Sequence, residues 1–403
     1  MRIAIIGGGI TGLVAAYELG KCGHNVTLYE KERILGGLAC GFRRVGWAWH
    51  IEGAYHHLFT NDTAILKLLR ELSVTTIVKR PITATLWRDR MYQLDSPFHL
   101  MRFPGLSFVA KIRTGAELAF LKLFPFWRIL EGFTAEQLLT SIGGKNAWKT
   151  IWEPLLYGKF GNLAPTVSAA WFWARIVKRT PKLIYIKGGF HSFVSALEIG
   201  ITKHGGKIIT GKTLTSLPKG FDRTLLTIPS PSAQKLVPHL VVPHVPHLFA
   251  QTLILETDIP ILKNVYWLNV TDRSFPFLAA VAHTNFIDPA HYGGRHLTYF
   301  GNYLPQDHPY LSMTKEQLFN TFLPFIQRIT HKSSFILHKS YLFTGPFAQP
   351  VHQRHYSKKI PPIKTPIAGI YMANMDYIVP WDRGTNYAVE LGLRAARILH
   401  ENR

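Results

Sequence analysis

The chain has 403 residues, 47% of them hydrophobic and 17% charged, which excludes a disordered chain and supplies a core for two or three domains. It carries 46 Lys and Arg against 24 Asp and Glu, a net charge of +22 that calls for a polyanion, a membrane surface or an acidic ligand as partner. Two cysteines, Cys22 and Cys40, allow neither a disulfide framework nor a four-cysteine zinc site, and point to a reducing, cytoplasmic compartment.

The opening MRIAIIGGG runs straight into a strand and a glycine turn and leaves no room for a signal peptide. Ile3–Ile6 reads as a buried strand, Gly12–Leu19 as a helix and Asn25–Tyr29 as a second strand ending at Glu30, a βαβ unit that implies a parallel sheet. Residues 75–94 mix β-branched and aromatic residues with polar ones, as antiparallel strands do. Residues 106–182 are mostly helical in pattern. Gly188–His204 reads as a helix entered through a Gly-Gly turn, and Lys207–Thr210 and Thr224–Ile228 as short strands. Phe249–Leu255, Val265–Val270 and Phe277–Thr284 return to sheet. Ile370–Ala373 is a last strand and Asn386–His400 a last helix. The longest charge-free stretch, 236–255, is broken by Pro238, Pro243 and Pro246 and is a poor membrane span.

Gly7, Gly9 and Gly12 stand in GxGxxG spacing between the first strand and the first helix. The first glycine allows the tight turn, the second lets a pyrophosphate approach the backbone, and the third lets helix and strand pack closely. Ile10, Thr11 and Gly12 would turn the free N–H groups of a helix start toward the phosphates. Glu30, at the end of the second strand, suits an adenosine ribose and disfavours a 2′-phosphate.

The run EKERILGGLA, with Lys31, Arg33, Gly36 and Gly37, resembles the second glycine motif of the large FAD-dependent family that includes amine oxidases, protoporphyrinogen oxidase and phytoene desaturases. Leu38 stands where that family usually has arginine. The stretch 369–399 is similar to the family's C-terminal flavin motif, with Asp376 one place later than usual. There Arg383, Gly384, Thr385 and Asn386 would open a helix facing the flavin pyrimidine ring, where its positive end favours the reduced flavin. The Gly188–Gly189 turn, Gly205–Lys207 and Thr227–Pro229 match the family layout in outline.

The resemblance implies an α/β fold. A Rossmann-like FAD-binding domain would be assembled from residues 1–72, 184–235 and 362–403. A mixed α+β substrate domain with an antiparallel sheet and a helical part would come from 73–183 and 236–361. It further implies an FAD-dependent oxidoreductase passing hydride from a hydrophobic or amine-bearing substrate to flavin N5. The alternatives are a non-redox flavoenzyme of the sugar-nucleotide mutase type and a non-catalytic binding protein. Past the isoalloxazine would run GWAWHIEGAYHHLF, whose Glu52, Tyr55, His56 and His57 offer a carboxylate, a phenol and two imidazoles. His56 or His57 is the candidate proton acceptor. Lys159 is a candidate contact to N5 through a water. Trp171 and Arg175, four apart on one helix face, are candidates for a pocket that binds an anion, and His283 for the substrate sheet.

No GxSxG, GxxxxGK[ST] or HExxH motif is present, no nucleic-acid module accompanies the positive charge, and His239, His244 and His247 among prolines make no metal site. The excess charge is largest in residues 101–200, with 13 Lys and Arg against 5 Asp and Glu. There Phe108, Ile112, Ala116, Ala119, Phe120 and Leu123 recur at helical spacing among Lys111, Arg113 and Lys122. Such a helix either lies apolar side down on an anionic membrane or packs as an ordinary core helix.

Overall fold

The computed structural model describes residues 1–330 and 334–401. Three structural layers position the site. The first is a five-stranded parallel sheet in the spatial order Lys207–Ile209, Asn25–Tyr29, Arg2–Ile6, Arg223–Leu226 and Ile370–Met372. Its central strand is Arg2–Ile6, whose Ile3, Ala4 and Ile5 are completely buried, as a strand covered on both faces requires. Helices Ile10–Lys21, Phe190–Lys203 and Thr385–Glu401 belong to this layer; the first touches both others. The fold is thus the expected α/β fold with a parallel sheet, drawn from three separated stretches of chain.

The second layer is a seven-stranded mixed sheet in the order Leu337–Pro350, His247–Thr257, His296–Leu304, Ala279–Ala282, Val265–Val270, Ile82–Trp87 and Arg90–Gln93. Every pairing is antiparallel except that of Val265–Val270 with Ile82–Trp87. Of the strands expected in residues 75–94, Thr76–Lys79 lies elsewhere: it pairs with Leu183–Ile186 in a separate three-stranded sheet. The helix Lys315–Thr330 buries Leu318, Phe322, Ile326 and Ile329 in a core shared with the large sheet.

The third layer is helical and spans residues 97–178. Its helix Phe108–Leu123 is turned the opposite way from a core helix. Ala110, Thr114, Glu117 and Leu121 are buried, while Phe108, Ile112, Ala116, Ala119, Phe120 and Leu123 are all exposed. The apolar stripe faces outward and a carboxylate faces in. Burial pushes the Glu117 carboxyl up to about 8, against the backbone N–H of Gly143 at 3.2 Å, which favours the charged form. Among the described residues no helix is long and apolar enough to cross a membrane.

Candidate active site

The glycine turn is built as the spacing requires. Gly7 has φ +115° and a Cβ there would stand 2.6 Å from Thr227 Oγ1; a Cβ on Gly12 would stand 2.0 Å from the carbonyl oxygen of Gly7. Thr227 Oγ1 closes the turn from the neighbouring strand, lying 3.0 and 2.9 Å from the carbonyl oxygens of Ile6 and Gly7. At Gly9, by contrast, a Cβ would meet nothing within 4 Å. Gly9 is therefore the open side of the turn, where a phosphate can reach the N–H groups of Ile10, Thr11 and Gly12, which have no acceptor within their own helix. Gly36 and Gly37, with φ +108° and +58°, bring the following loop back against it: Gly36 N–H donates to Gly8 O at 2.8 Å. Glu30 ends the second strand and accepts from the N–H of Gly8 (2.6 Å) and of Glu32 (2.9 Å), which fixes its carboxylate beside the turn. Lys31 and Arg33 are exposed, Lys31 pairing with Glu32 at 3.3 Å, and Leu38 packs toward Gly345 of the large sheet.

A second helix N-terminus lies alongside. Thr11 Oγ1 donates to the carbonyl of Ala388 at 3.2 Å, so the first turn of Ile10–Lys21 sits on the first turn of Thr385–Glu401. Gly384 is exposed at the head of that helix, and its carbonyl accepts from Ala388 N–H at 3.0 Å. Thr385 and Asn386 are buried; the Asn386 side chain accepts from Ile65 N–H (3.1 Å) and donates to Glu390 (2.7 Å). Two positive helix ends thus lie side by side. Asp376 follows the last strand of the parallel sheet, Ile370–Met372. It is buried, accepts from Ser230 Oγ and from His247 Nε2 (2.6 Å), and ties three segments of chain together.

The residue before Arg383 organises the rest. Asp382 Oδ2 accepts from Lys159 Nζ at 2.9 Å and from Arg175 Nη1 at 2.5 Å, and Oδ1 from Trp171 Nε1 at 3.0 Å and Gln349 Nε2 at 3.1 Å. Lys159 and Arg175 hold its carboxyl well below the usual carboxylate range despite its burial. Lys159 also lies over the rings of Trp171 (4.9 Å) and Tyr303 (5.2 Å), and burial pulls its ammonium down. Arg383 Nε donates to Gln349 Oε1 at 3.1 Å, and its Nη2 to the Tyr303 hydroxyl. Trp381 stacks on Trp173 and on Tyr387, at 5.6 and 5.5 Å between centroids, and so fixes the loop that carries Asp382.

Tyr55, His56 and His57 border this cluster. The Tyr55 ring lies against Gly301, where a Cβ would stand 2.6 Å from it, and edge-on to Trp267 at 4.9 Å. His56 Nδ1 is 2.7 Å from the carbonyl of Ala54; a carbonyl only accepts, so Nδ1 carries the proton and Nε2 keeps its lone pair. Burial, with Arg383 nearby, lowers His56 to about 4, and burial beside His56, Arg179 and Arg175 lowers His57 to about 3. Both rings are neutral at pH 7. The structure therefore brings Tyr55, His56, His57, Lys159, Trp171, Arg175 and Arg383 together. It places His283 elsewhere, buried with Nε2 2.8 Å from the Tyr292 hydroxyl. Glu52 is likewise a core group, accepting from Tyr185 OH at 2.8 Å and Phe190 N–H at 2.7 Å, and burial raises it to about 7. Sequence reasoning missed Asp382. The partners of Asp382 stand 33 to 223 residues away, so no local spacing announces them.

Comparison with known proteins identifies the family and the fold. The family model for flavin-containing amine oxidoreductases matches residues 10–400. A zeta-carotene desaturase of Synechocystis sp. is 27% identical over 182 residues, 39% of this chain and 37% of that protein. The matches to curated relatives thus cover well under two thirds of those proteins. Among solved structures, an oxidoreductase from Methanosarcina mazei has a TM-score of 0.75 at 17% identity, covering 98% of this chain and 100% of that one. A reduced UDP-galactopyranose mutase has a TM-score of 0.76 at 14% identity, covering 100% and 96%. At such identities the structures establish a shared fold. The chain belongs to the flavin-containing amine oxidoreductase family.

Proposed function

We propose that the protein is an FAD-dependent oxidoreductase acting on a small molecule. The observation that carries this reading is the pair of helix N-termini joined through Thr11 and Ala388 beside the open Gly9 turn. One end suits a pyrophosphate and the other the negatively charged pyrimidine of a reduced flavin, with Glu30 positioned for the ribose. Flavin supplies a two-electron acceptor for hydride when bound. The chain's own residues do the rest. Arg383, Gly384 and the free N–H groups of Thr385 and Asn386 orient the ring; Tyr55 and Trp267 exclude water with their aromatic faces; and His56 Nε2 offers a lone pair to the proton released as the substrate carbon is oxidised. We favour oxidoreduction over non-redox flavin chemistry because the family model spans residues 10–400, whereas the mutase shares only the fold. Denaturing the purified protein should release FAD, identified by chromatography against FMN. Colourless protein with no released flavin would overturn the reading.

The second element of the proposal is contact with an anionic membrane. Phe98, Phe108, Val109, Leu123, Phe126 and Ile129 are each more than half exposed within one short stretch of chain. The exposed charges of residues 97–133 are all basic, since Glu117 and Glu131 are buried. An outward apolar stripe flanked by Arg102, Arg113, Lys122 and Arg128 matches a bilayer with anionic headgroups. Phosphatidylglycerol vesicles should sediment the protein at low salt, and the Phe108→Ser/Leu123→Ser variant should stay in the supernatant. Equal sedimentation of both proteins, or of neither, counts against it.

A further inference from the structure

Asp382 and Arg383 are neighbours in the chain and carry opposite charges, yet among the described residues their side chains do not pair with each other. One side chain stands between them. Gln349 lies on strand Leu337–Pro350, opposite Leu248, and is completely buried. Its Nε2 donates to Asp382 Oδ1 at 3.1 Å and to the carbonyl of Pro350 at 2.9 Å, and its Oε1 accepts from Arg383 Nε at 3.1 Å. A carboxylate and a carbonyl only accept and a guanidinium only donates, so a single orientation of the amide satisfies all three contacts. With Gln349, Asp382 has four donors, about as many as the lone pairs of a carboxylate can take. Arg383 is left with neutral partners, the Gln349 carbonyl and the hydroxyl of Tyr303, over whose ring its guanidinium lies at 4.9 Å. Charges in protein interiors are normally paired; here an amide holds a carboxylate and a guanidinium apart.

We propose that Gln349 is a positioning residue for the cofactor: by separating Arg383 from Asp382 it keeps an uncompensated positive charge at the head of helix Thr385–Glu401. The inference rests on the reading of that helix end as the flavin site, and deepens it. Flavin gains negative charge at its pyrimidine ring on reduction, so a guanidinium fixed there favours the reduced form, as the helix end does. An arginine paired with a carboxylate has its field largely cancelled. One held by an amide and a phenol keeps its full charge and is already oriented. The same geometry accounts for the residue type at 349. A carboxylate there would neutralise Arg383 and face Asp382 across 3.1 Å. An apolar side chain would leave Asp382 Oδ1 one donor short and Arg383 free to fill the place. An amide gives a donor to one neighbour and an acceptor to the other, with no charge of its own.

The test reads the midpoint potential of the bound flavin in the purified holoenzyme, by reductive titration against a reference dye. In Gln349→Met, Arg383 is free to turn to Asp382. The ratio of reduced to oxidised flavin at a fixed potential should then fall about tenfold, a downward shift of about 30 mV for a two-electron couple. In an Arg383→Met background the same substitution should change that ratio by less than about twofold, because Gln349 acts through Arg383. A Gln349→Met ratio within about twofold of the parent, or above it, overturns the proposal. So does an equal fall in both backgrounds, which would mark a general loosening of the site. If Gln349→Met does not fold, Gln349→Glu decides, since it keeps the shape and sets a carboxylate against Arg383: a comparable fall at pH 8 supports the proposal, and an unchanged or higher potential overturns it. Protein that carries no flavin overturns the oxidoreductase reading instead. Urea unfolding of the apoprotein then tests the arrangement itself: Gln349→Met and Arg383→Met should be non-additive by at least about fivefold in the unfolding constant, and additive effects overturn it.

Discussion

The glycine turn and the Asp382 cluster are built on opposite plans. The turn is made mostly of backbone: its donors are N–H groups, its shape comes from side chains that are missing, and apart from Thr227, which closes it from the neighbouring strand, its members lie within thirty residues of one another. The cluster is made of long side chains from five segments, and one buried carboxylate holds it together. A backbone site fails when anything is added. A side-chain site fails when its hub is removed, because the partners are left as unpaired charges.

That contrast can be broken directly. Gly12→Ala would put a methyl 2.0 Å from the carbonyl of Gly7, and should cost about 3 kcal/mol or more and leave the protein without flavin, read from urea unfolding and flavin content. Asp382→Ala leaves Lys159 and Arg175 without their shared partner; a loss of about 3–5 kcal/mol is expected in the same unfolding assay, with flavin content falling as a consequence of instability. Glu30→Ala sharpens the other half of the contrast. The fold should persist, and titration of the apoprotein with FAD should show affinity down by about 2 kcal/mol, or ~30-fold.

The smallest effect is a pH dependence. Burial raises Glu117 to about 8, so the folded state binds a proton that the unfolded chain releases above about 4.5. Its contribution to stability is therefore full below pH 4.5 and declines as pH rises toward 8. In Glu117→Gln that decline should be absent, giving a higher Tm than the parent at pH 9 and a smaller difference at pH 5. Identical Tm differences at both pH values would show that Glu117 does not titrate in this range.

The parallel sheet and its glycine turn were legible because their signals are local: Gly7, Gly9 and Gly12 directly follow an apolar strand, and Glu30 ends the next one. The long strands His296–Leu304 and Leu337–Pro350 were not, because Gly301, Gly345 and Pro346 interrupt the β pattern. Those breakers have reasons that appear only in three dimensions: Gly301 makes room for the Tyr55 ring, and the register against Ala250 and Leu248 slips around Pro346 and Phe347, whose φ is +54°. The helix Phe108–Leu123 showed its period but not its direction, since a helical stripe does not say which side faces protein. Asp382 was invisible for the reason that makes it central, its partners being distant in the chain.

The pairing of the first helix with the last has a consequence for biosynthesis. Strand Arg2–Ile6 reaches strand Ile370–Met372 only through Arg223–Leu226, and Gly392 is a glycine because a Cβ would stand 2.8 Å from the carbonyl of Thr11. The cradle begun by the first dozen residues is finished only by helix Thr385–Glu401. On the ribosome the glycine turn waits, half-walled and with apolar surface uncovered, until nearly the whole polypeptide has emerged. A cofactor held by this cradle would therefore load only after the last helix has emerged, and a chain cut short before Ile370 should not bind it, however intact its GxGxxG motif.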